Sequence, residues 1–351
     1  MPEKPLFLGN YQAVDRIHQD DLRLIGFHEE PCSNMTDIMV LDKQPANLQD
    51  MRAIFGERMQ EDVPLARFTA ARVGGPAEAL VTVETGDELV QAVSWLWEEG
   101  LPFLILGGGS NVLVSDAGVP GVVLLNRARE VRFDDRATPP IVWAESGANF
   151  GLIARQAANR GLAGLEWACG IPGTLGGAVI GNAGAHGEDT ASRLIVAEIL
   201  HLSKDKQPGR EQWTVERMAY EYRGSILKRR SREAVVLAAR LRLEHGTPEA
   251  IHTKVEAFTE YRRKTQPPGA SMGSMFKNPP GDYAGRLIEA AGLKGYKIGG
   301  AEISTLHANF FINKGTATAT DIYALTLAVQ EKVVRQFVVK LELEIELVGE
   351  W

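Results

Sequence analysis

Two glycine-rich turns hold the pattern with the clearest chemical use. In LPFLILGGGSNVLVSDAGVPGVVLLN (101–126) an apolar run leads into Gly107, Gly108 and Gly109, then Ser110 and Asn111. Three consecutive residues without a β-carbon let the main chain curl until successive N–H groups converge, which is how a backbone cradles a pyrophosphate. Ser110 and Asn111 add side-chain donors. A plain turn between strands competes with that reading, and for GGG alone the two weigh about equally. The second turn, CGIPGTLGGAVIGNAGAHGED (169–189), has seven glycines in the nineteen residues from Gly170. Ordering so many glycines costs much backbone entropy. That cost makes sense where a loop must approach a large planar ligand closely, so here binding outweighs turn-making.

Neither turn is a dinucleotide fingerprint. G-x-G-x-x-G would need glycine where Val112 or Val114 stands, and no GxxxxGK[ST] occurs. The seven histidines are scattered without a metal-ligand spacing, and two cysteines, Cys32 and Cys169, form neither a CxxC nor a disulfide framework. No metal site is expected. The net charge of −7 is concentrated in residues 1–50, which alone carry −5. The rest is nearly neutral, has no basic stripe for a nucleic acid, and has no apolar run of membrane-spanning length. The opening residues lack a signal-peptide pattern, so a soluble cytoplasmic protein is expected.

The elements that must hold these turns alternate between strand and helix. ALVTVET (79–85) and FLIL (103–106) read as strands. DELVQAVSWLWEEG (87–100) reads as a helix capped by Asp87, with Leu89, Val90, Val93, Leu96 and Trp97 on one face and Gly100 at its end. NFGLIARQAANRG (149–161) repeats the pattern with Asn149 as cap. Strands at 195–202 and 234–243 flank a charged, irregular stretch. Pro248 opens a further helix, followed by a helix at 282–291, a strand at 308–312, a helix at about 319–336 and a last strand, KLELEIELV (340–348). The expected division is an appended acidic segment of unknown role over 1–46, units at 47–130 and 131–246, and an α+β unit at 247–351.

LGGGSNVLV together with GIPGTLGGAVIGNAGAHG resembles the FAD-binding unit of the vanillyl-alcohol-oxidase type. The wording is closest to the UDP-N-acetylenolpyruvoylglucosamine reductase family. FTAARVGGPAE (68–78), EYRGSILK (221–228), GSMFKNPPGDYAGRLIEAAGLKG (273–295), IGGAEISTLHANFFIN (298–313) and ELEIELVGE (342–350) follow in the family's order. The resemblance spans about 60–351. It implies an α+β protein with a two-part FAD-binding domain, 47–130 and 131–246, and a substrate domain at 247–351. It also implies NADPH as electron donor and a nucleotide sugar of peptidoglycan precursor synthesis as substrate, hence a part in cell-wall formation, cell shape and division. The GGGSN loop offers no histidine or cysteine to tether a flavin, so non-covalent FAD is expected. No protein partner is named by any residue. The short stretch between Asn278 and Arg286 lacks a tyrosine-bearing insertion and resembles the compact subtype of the family. Met272 and an alanine of FTAAR where threonine is usual depart from its wording without removing a catalytic group.

Carried over residue by residue, the resemblance implies three catalytic positions. Arg223 of EYRGS would hold a carboxylate and stabilise an enolate; read alone, it is more readily a surface arginine beside Lys228, Arg229 and Arg230, and the resemblance reverses that. Ser274 of GSMF would protonate the carbanion, although a turn serine is ordinary. Glu344 would assist that proton transfer. Alternation with Leu341, Leu343, Ile345 and Leu347 cannot separate it from Glu342 and Glu346. Tyr222, Lys277 and Asn278 are candidates for contacting substrate. Gly107, Gly108, Gly109, Ser110, Asn111, Gly173, Gly176, Gly177, Asn182 and Gly184 are candidates for holding the cofactor. Cys169 reads as packing and His186 as polar lining. Another flavin oxidase or dehydrogenase, or a non-catalytic binding protein, are the competing functions.

Overall fold

The structure, a computed structural model, describes residues 48–203, 205–229 and 233–351. The acidic segment 1–46 and Cys32 lie outside the described residues. A four-stranded sheet runs in the spatial order Met59–Pro64, Pro76–Val83, Val119–Asn126, Phe103–Leu106. Its first pair is antiparallel and the others are parallel. Parallel strands are covered on both faces, which is why FLIL and VVLL read as unbroken apolar runs. Helix Gly86–Glu98 covers one face with Leu89, Ala92, Val93 and Leu96. Its cap is Thr85, not the expected Asp87: the Thr85 hydroxyl accepts from Glu88 N at 3.2 Å, while Asp87 pairs with Arg210 at 2.6 Å.

A five-stranded antiparallel sheet forms the next layer, ordered Pro208–Thr214, Leu194–Leu202, Ala234–Arg242, Ile141–Glu145, Val131–Asp134. Leu200, Val235 and Leu237 on one face meet helix Gly86–Glu98, which is therefore sandwiched between the sheets. The other face packs helix Phe150–Asn159 and a short helix, Leu175–Gly181, around Phe150 and Trp167. Asn149 caps the former as expected, accepting from Leu152 N at 2.9 Å. The buried Glu145 carboxylate ties the sheets together, accepting from Gly86 N at 2.7 Å and Glu130 N at 2.8 Å. Pro208–Thr214 lies inside the stretch expected to be irregular. As an outer strand with most side chains in solvent, it has no apolar alternation to betray it.

The C-terminal part has a small sheet, Lys297–Ile298, Ala301–Ile303 and Phe311–Asn313, with helices Ala284–Ala290 and Ala319–Phe337 over it. Helix Pro248–Thr265, capped by Thr247, instead sends Val255 and Phe258 into the core of the five-stranded layer. The last strand is shorter than expected. Glu346–Val348 pairs parallel to Val112–Val114, whereas Leu343 bridges to Phe276. The cause is a change of partner: Glu344 N donates to Met275 O, and Glu346 N donates to Asn111 O, both at 2.9 Å. That change threads the tail into the first glycine loop. Among the described residues no helix is long and apolar enough to cross a membrane, and no three metal-type side chains converge.

Asp116, just past the first glycine loop, adds an outside acceptor at the start of helix Ala319–Phe337, whose own N-cap is Thr318 in a capping box with Asp321. Its carboxylate accepts from Ala319 N at 2.9 Å, Thr320 N at 2.8 Å and Thr320 Oγ1 at 2.7 Å. Burial opposes its ionisation, but these hydrogen bonds outweigh burial and hold it below the usual carboxylate range. The bond's stabilisation is thus present above the ordinary carboxyl pKa and is lost as pH falls through the depressed value. Asp116→Ala should cost about 0.5–2 kcal/mol, typical of a lost cap. Thermal melts should show that deficit at neutral pH and a smaller one in acid.

Candidate functional site

A cavity of about 490 Å³ opens where the two glycine turns, the 221–228 segment, the end of helix Pro248–Thr265 and the tail converge. That volume suits a sizeable organic ligand. The turns themselves meet backbone to backbone. A Cβ on Gly108 would lie 2.9 Å from Gly173 Cα, one on Gly107 2.5 Å from Thr174 Oγ1, and one on Gly109 2.0 Å from Phe68 O. Gly107 and Gly108 therefore serve the close approach of the two turns and Gly109 that of the 68–69 segment, and none of the three is among the lining residues. Gly176 likewise packs against Ser146, where a Cβ would fall 2.9 Å from the serine Cβ.

The lining is formed by Ser110, Asn111, Gly173, Gly177 and Gly184, five of the ten proposed cofactor contacts. Gly177 and Gly181, four residues apart on one face of helix Leu175–Gly181, leave bare backbone. A Cβ on Gly177 would meet only Thr174 Oγ1 at 3.8 Å, and one on Gly181 would meet nothing within 4 Å. A cradle that side chains would otherwise fill is what a broad planar ring such as a flavin requires. Asn111 lines the cavity yet gives its amide N–H to Glu344 O at 3.1 Å, which ties the loop to the tail. Asn182 is a left-handed helix C-cap with φ 44°. Its amide donates to Asp189 and to Glu221 O, and its oxygen accepts from Ala191 N at 3.0 Å. Its side chain is thus spent on holding the helix end to the 221–224 turn.

Arg223, Ser274 and Glu344 all line this cavity. Arg223 sits at the tip of a tight turn closed by paired bonds between Glu221 and Gly224, with φ 59°. A left-handed arginine is a strained choice of the kind found at functional sites. Its Nη1 donates to Gly184 O at 3.0 Å, and its Nε stands 2.9 Å from Glu344 Oε1. That Nε makes no directed hydrogen bond, so the contact is one of charge alone. Ser274 follows Gly273, whose φ is 78°, and is bridged to Phe310. The next residues are pinned, Met275 N to Asn309 O at 2.9 Å and Phe276 N to Asn309 Oδ1 at 3.0 Å.

Burial separates the three tail glutamates that periodicity could not. Glu344 is 15% exposed, against 40% for Glu346 and 69% for Glu342. Its burial pushes the carboxyl pKa up, with Arg223, Lys228 and Lys277 pulling the other way. Two cavity cations were missed by sequence reasoning, Lys228 and Arg262. Lys228 lies inside EYRGSILK but reads as part of a solvated basic cluster; Arg262 ends a helix in an equally basic run. With Arg223 they set three cations against one acid, an environment suited to an anionic ligand.

Tyr222, Lys277 and Asn278 are not among the lining residues. Tyr222 is 56% exposed, its ring 5.7 Å from the Arg223 guanidinium. Lys277 pairs with Glu342 at 3.3 Å, and Asn278 Oδ1 accepts from Ala284 N at 3.1 Å. His186 stacks on Phe258 with centroids 4.1 Å apart, and burial, aided by Arg262, lowers its pKa. Burial pushes the Cys169 thiol up to about 11, which leaves it a packing residue.

Comparison with known proteins places these residues in a family context. Residues 77–200 match a family model described as an FAD binding domain. Residues 264–348 match one described as the C-terminal domain of UDP-N-acetylenolpyruvoylglucosamine reductase. The reductase of Chloroflexus aurantiacus is 43% identical over 290 residues, 82% of this chain and 96% of that one. The reductase of Rubrobacter xylanophilus is 45% identical over 289 residues, 82% and 95% of the two chains. The crystal structure of the Thermus caldophilus enzyme is similar with a TM-score of 0.70 at 37% identity, covering 83% of this chain and all of that one.

Proposed function

Because the chain belongs to the UDP-N-acetylenolpyruvoylglucosamine reductase family, we propose that it is an FAD-dependent oxidoreductase reducing the enolpyruvyl group of that sugar nucleotide to the lactyl ether of UDP-N-acetylmuramate. NADPH is the electron donor. One observation supports this reading above the others: Arg223, Ser274 and Glu344, far apart in the chain, line a single cavity floored by bare glycine backbone.

FAD held there would supply the hydride chemistry that links NADPH to the enolpyruvyl double bond. Ser110, Gly173, Gly177 and Gly184 would hold it through backbone and hydroxyl groups, without a covalent bond. Gly107, Gly108, Gly109, Gly176 and Asn182 would support it from behind by fixing the loops, and Asn111, on the cavity wall, ties the first loop to the tail. The chain's own residues then manage charge and proton. Arg223 faces the substrate carboxylate, into which the negative charge spreads as the double bond is reduced. Ser274 Oγ gives its proton to the neighbouring carbon. A serine hydroxyl is a weak acid, and Glu344, whose carboxyl pKa burial raises, resupplies or orients it. Where Glu344 resupplies the proton, turnover falls as pH rises through its raised pKa. Tyr222, Lys277 and Asn278 frame the approach. Arg262 offsets the charge of the nucleotide diphosphate.

Residues 47–130 and 131–246 form the two FAD-binding parts and 247–351 the substrate part. UDP-sugars and NADPH are cytoplasmic metabolites, so the enzyme acts there, in the supply of peptidoglycan precursors on which cell shape and division depend. Mass spectrometry after incubation with FAD, NADPH and the sugar nucleotide should show a product heavier by two hydrogens, formed one-for-one with NADPH oxidised. NADPH oxidation without that product would sink the assignment.

A further inference from the structure

Lys228 stands where two parts of the site are joined. Its ammonium lies 3.4 Å from the carbonyl oxygen of Glu344 and 3.4 Å from Glu346 Oε1, and its side chain is only 22% exposed. It therefore grips the tail on both sides of Ile345. Its other end is equally fixed. Lys228 N donates to Ser225 Oγ at 3.4 Å, and that fully buried hydroxyl donates to Ile180 O at 2.7 Å. The chain of contacts runs from the glycine-bearing helix Leu175–Gly181, through Ser225, to the segment carrying Glu344. Without it, the backbone of Glu344 is held by Met275 O and the Asn111 amide alone.

We propose that Lys228 is a positioning residue for Glu344, strapping residues 344–346 to the glycine helix so that the carboxyl group faces Arg223 within the cavity. This rests on the reductase reading above. The charged groups around Glu344 make the strap readable. Arg223 faces it from the 221–224 turn and Lys277 from the 274–277 segment. Arg262 lines the same cavity from helix Pro248–Thr265, and Glu342 and Glu346 flank it along its own segment. Lys277 is paired with Glu342 and Lys228 with Glu346. Removing Lys228 takes away a cation that opposes protonation and leaves Glu346 unpaired nearby. Both changes raise the proton affinity of Glu344.

The test compares Lys228→Met, Lys228→Arg and Lys228→Met/Glu344→Gln with the FAD-loaded wild type. Reoxidation of the reduced flavin by the sugar nucleotide is followed by stopped flow across pH. Lys228→Met should slow that step by about tenfold, equivalent to about 1.4 kcal/mol, with nearly unchanged substrate affinity and a falling pH limb displaced to higher pH. Lys228→Arg should restore both. In the Glu344→Gln background the same change should cost less than about twofold, since contacts acting through one group are not additive. A weakened substrate affinity with an unmoved pH limb and additive losses would overturn the proposal and make Lys228 a direct substrate contact. Should Lys228→Met fail to retain flavin, Lys228→Gln replaces it in the same comparison. A wild-type enzyme whose flavin NADPH bleaches but the sugar nucleotide does not reoxidise would refute the reductase reading itself, a result separate from any Lys228 effect.

Discussion

Ser274→Ala should slow reoxidation of the reduced enzyme by the sugar nucleotide about 10²–10⁴-fold, the range for removing a proton donor. Flavin reduction by NADPH should persist at close to the wild-type rate. The selectivity follows from where Oγ sits. Ser274 occupies an extended segment pinned on its C-terminal side by the Asn309 clamp, which includes Asn309 Nδ2 donating to Phe276 O at 2.8 Å. Lys277 N also donates to Glu342 O at 2.9 Å. Alanine suits that backbone, so flavin content and melting temperature should be unchanged. Only the step needing a proton at carbon loses its source. Rapid-mixing absorbance at the flavin band, run separately for the two half-reactions, reads the difference. Equal loss in both would show that Ser274 supports cofactor binding instead.

Arg223→Ala should lower the same step by about 10²–10³-fold, or roughly 2.7–4 kcal/mol, as expected when a donor aimed at developing negative charge is removed. Arg223→Lys should recover little. The guanidinium reaches Gly184 O with Nη1 while Nε remains beside Glu344, and a single ammonium cannot span both. A more discriminating variant is Arg223→Gly. Glycine relieves the φ of 59°, a conformation costing an ordinary residue about 1–2 kcal/mol. The melting temperature should hold or rise while activity falls with that of the alanine variant. Stability and turnover moving in opposite directions would identify the strain as one kept for function. A variant that loses both would mean the arginine chiefly holds the 221–224 turn together.

Local signals predicted some of this architecture and could not reach the rest. Helix Phe150–Asn159 and its Asn149 cap follow from apolar spacing and cap chemistry within one short segment. Helix Ala319–Phe337 was legible for the same reason, although its outside acceptor, Asp116, lies far away in sequence. The terminal strand misled because alternation reports burial and not pairing. Leu341, Leu343, Ile345 and Leu347 are all buried, yet the ladder changes partner after Glu344. Gly107, Gly108 and Gly109 show a related limit. Sequence can say that a Cβ is unwelcome but not whether a ligand or another loop excludes it; here Gly173, Thr174 and Phe68 do. Asn182 is a cofactor candidate by its motif, and the structure adds a left-handed helix end that local sequence alone does not reveal. Arg223, Ser274 and Glu344 entered through family motifs, and their meeting in one cavity is a fact of tertiary structure.

The most direct test of the central claim is an anaerobic visible spectrum of the FAD-loaded protein, taken before and after NADPH and then after UDP-N-acetylenolpyruvoylglucosamine. The flavin band should bleach with NADPH and return on adding the sugar nucleotide, without oxygen. A band that bleaches and stays bleached until air is admitted would contradict the reductase assignment and point to an oxidase on the same cofactor fold.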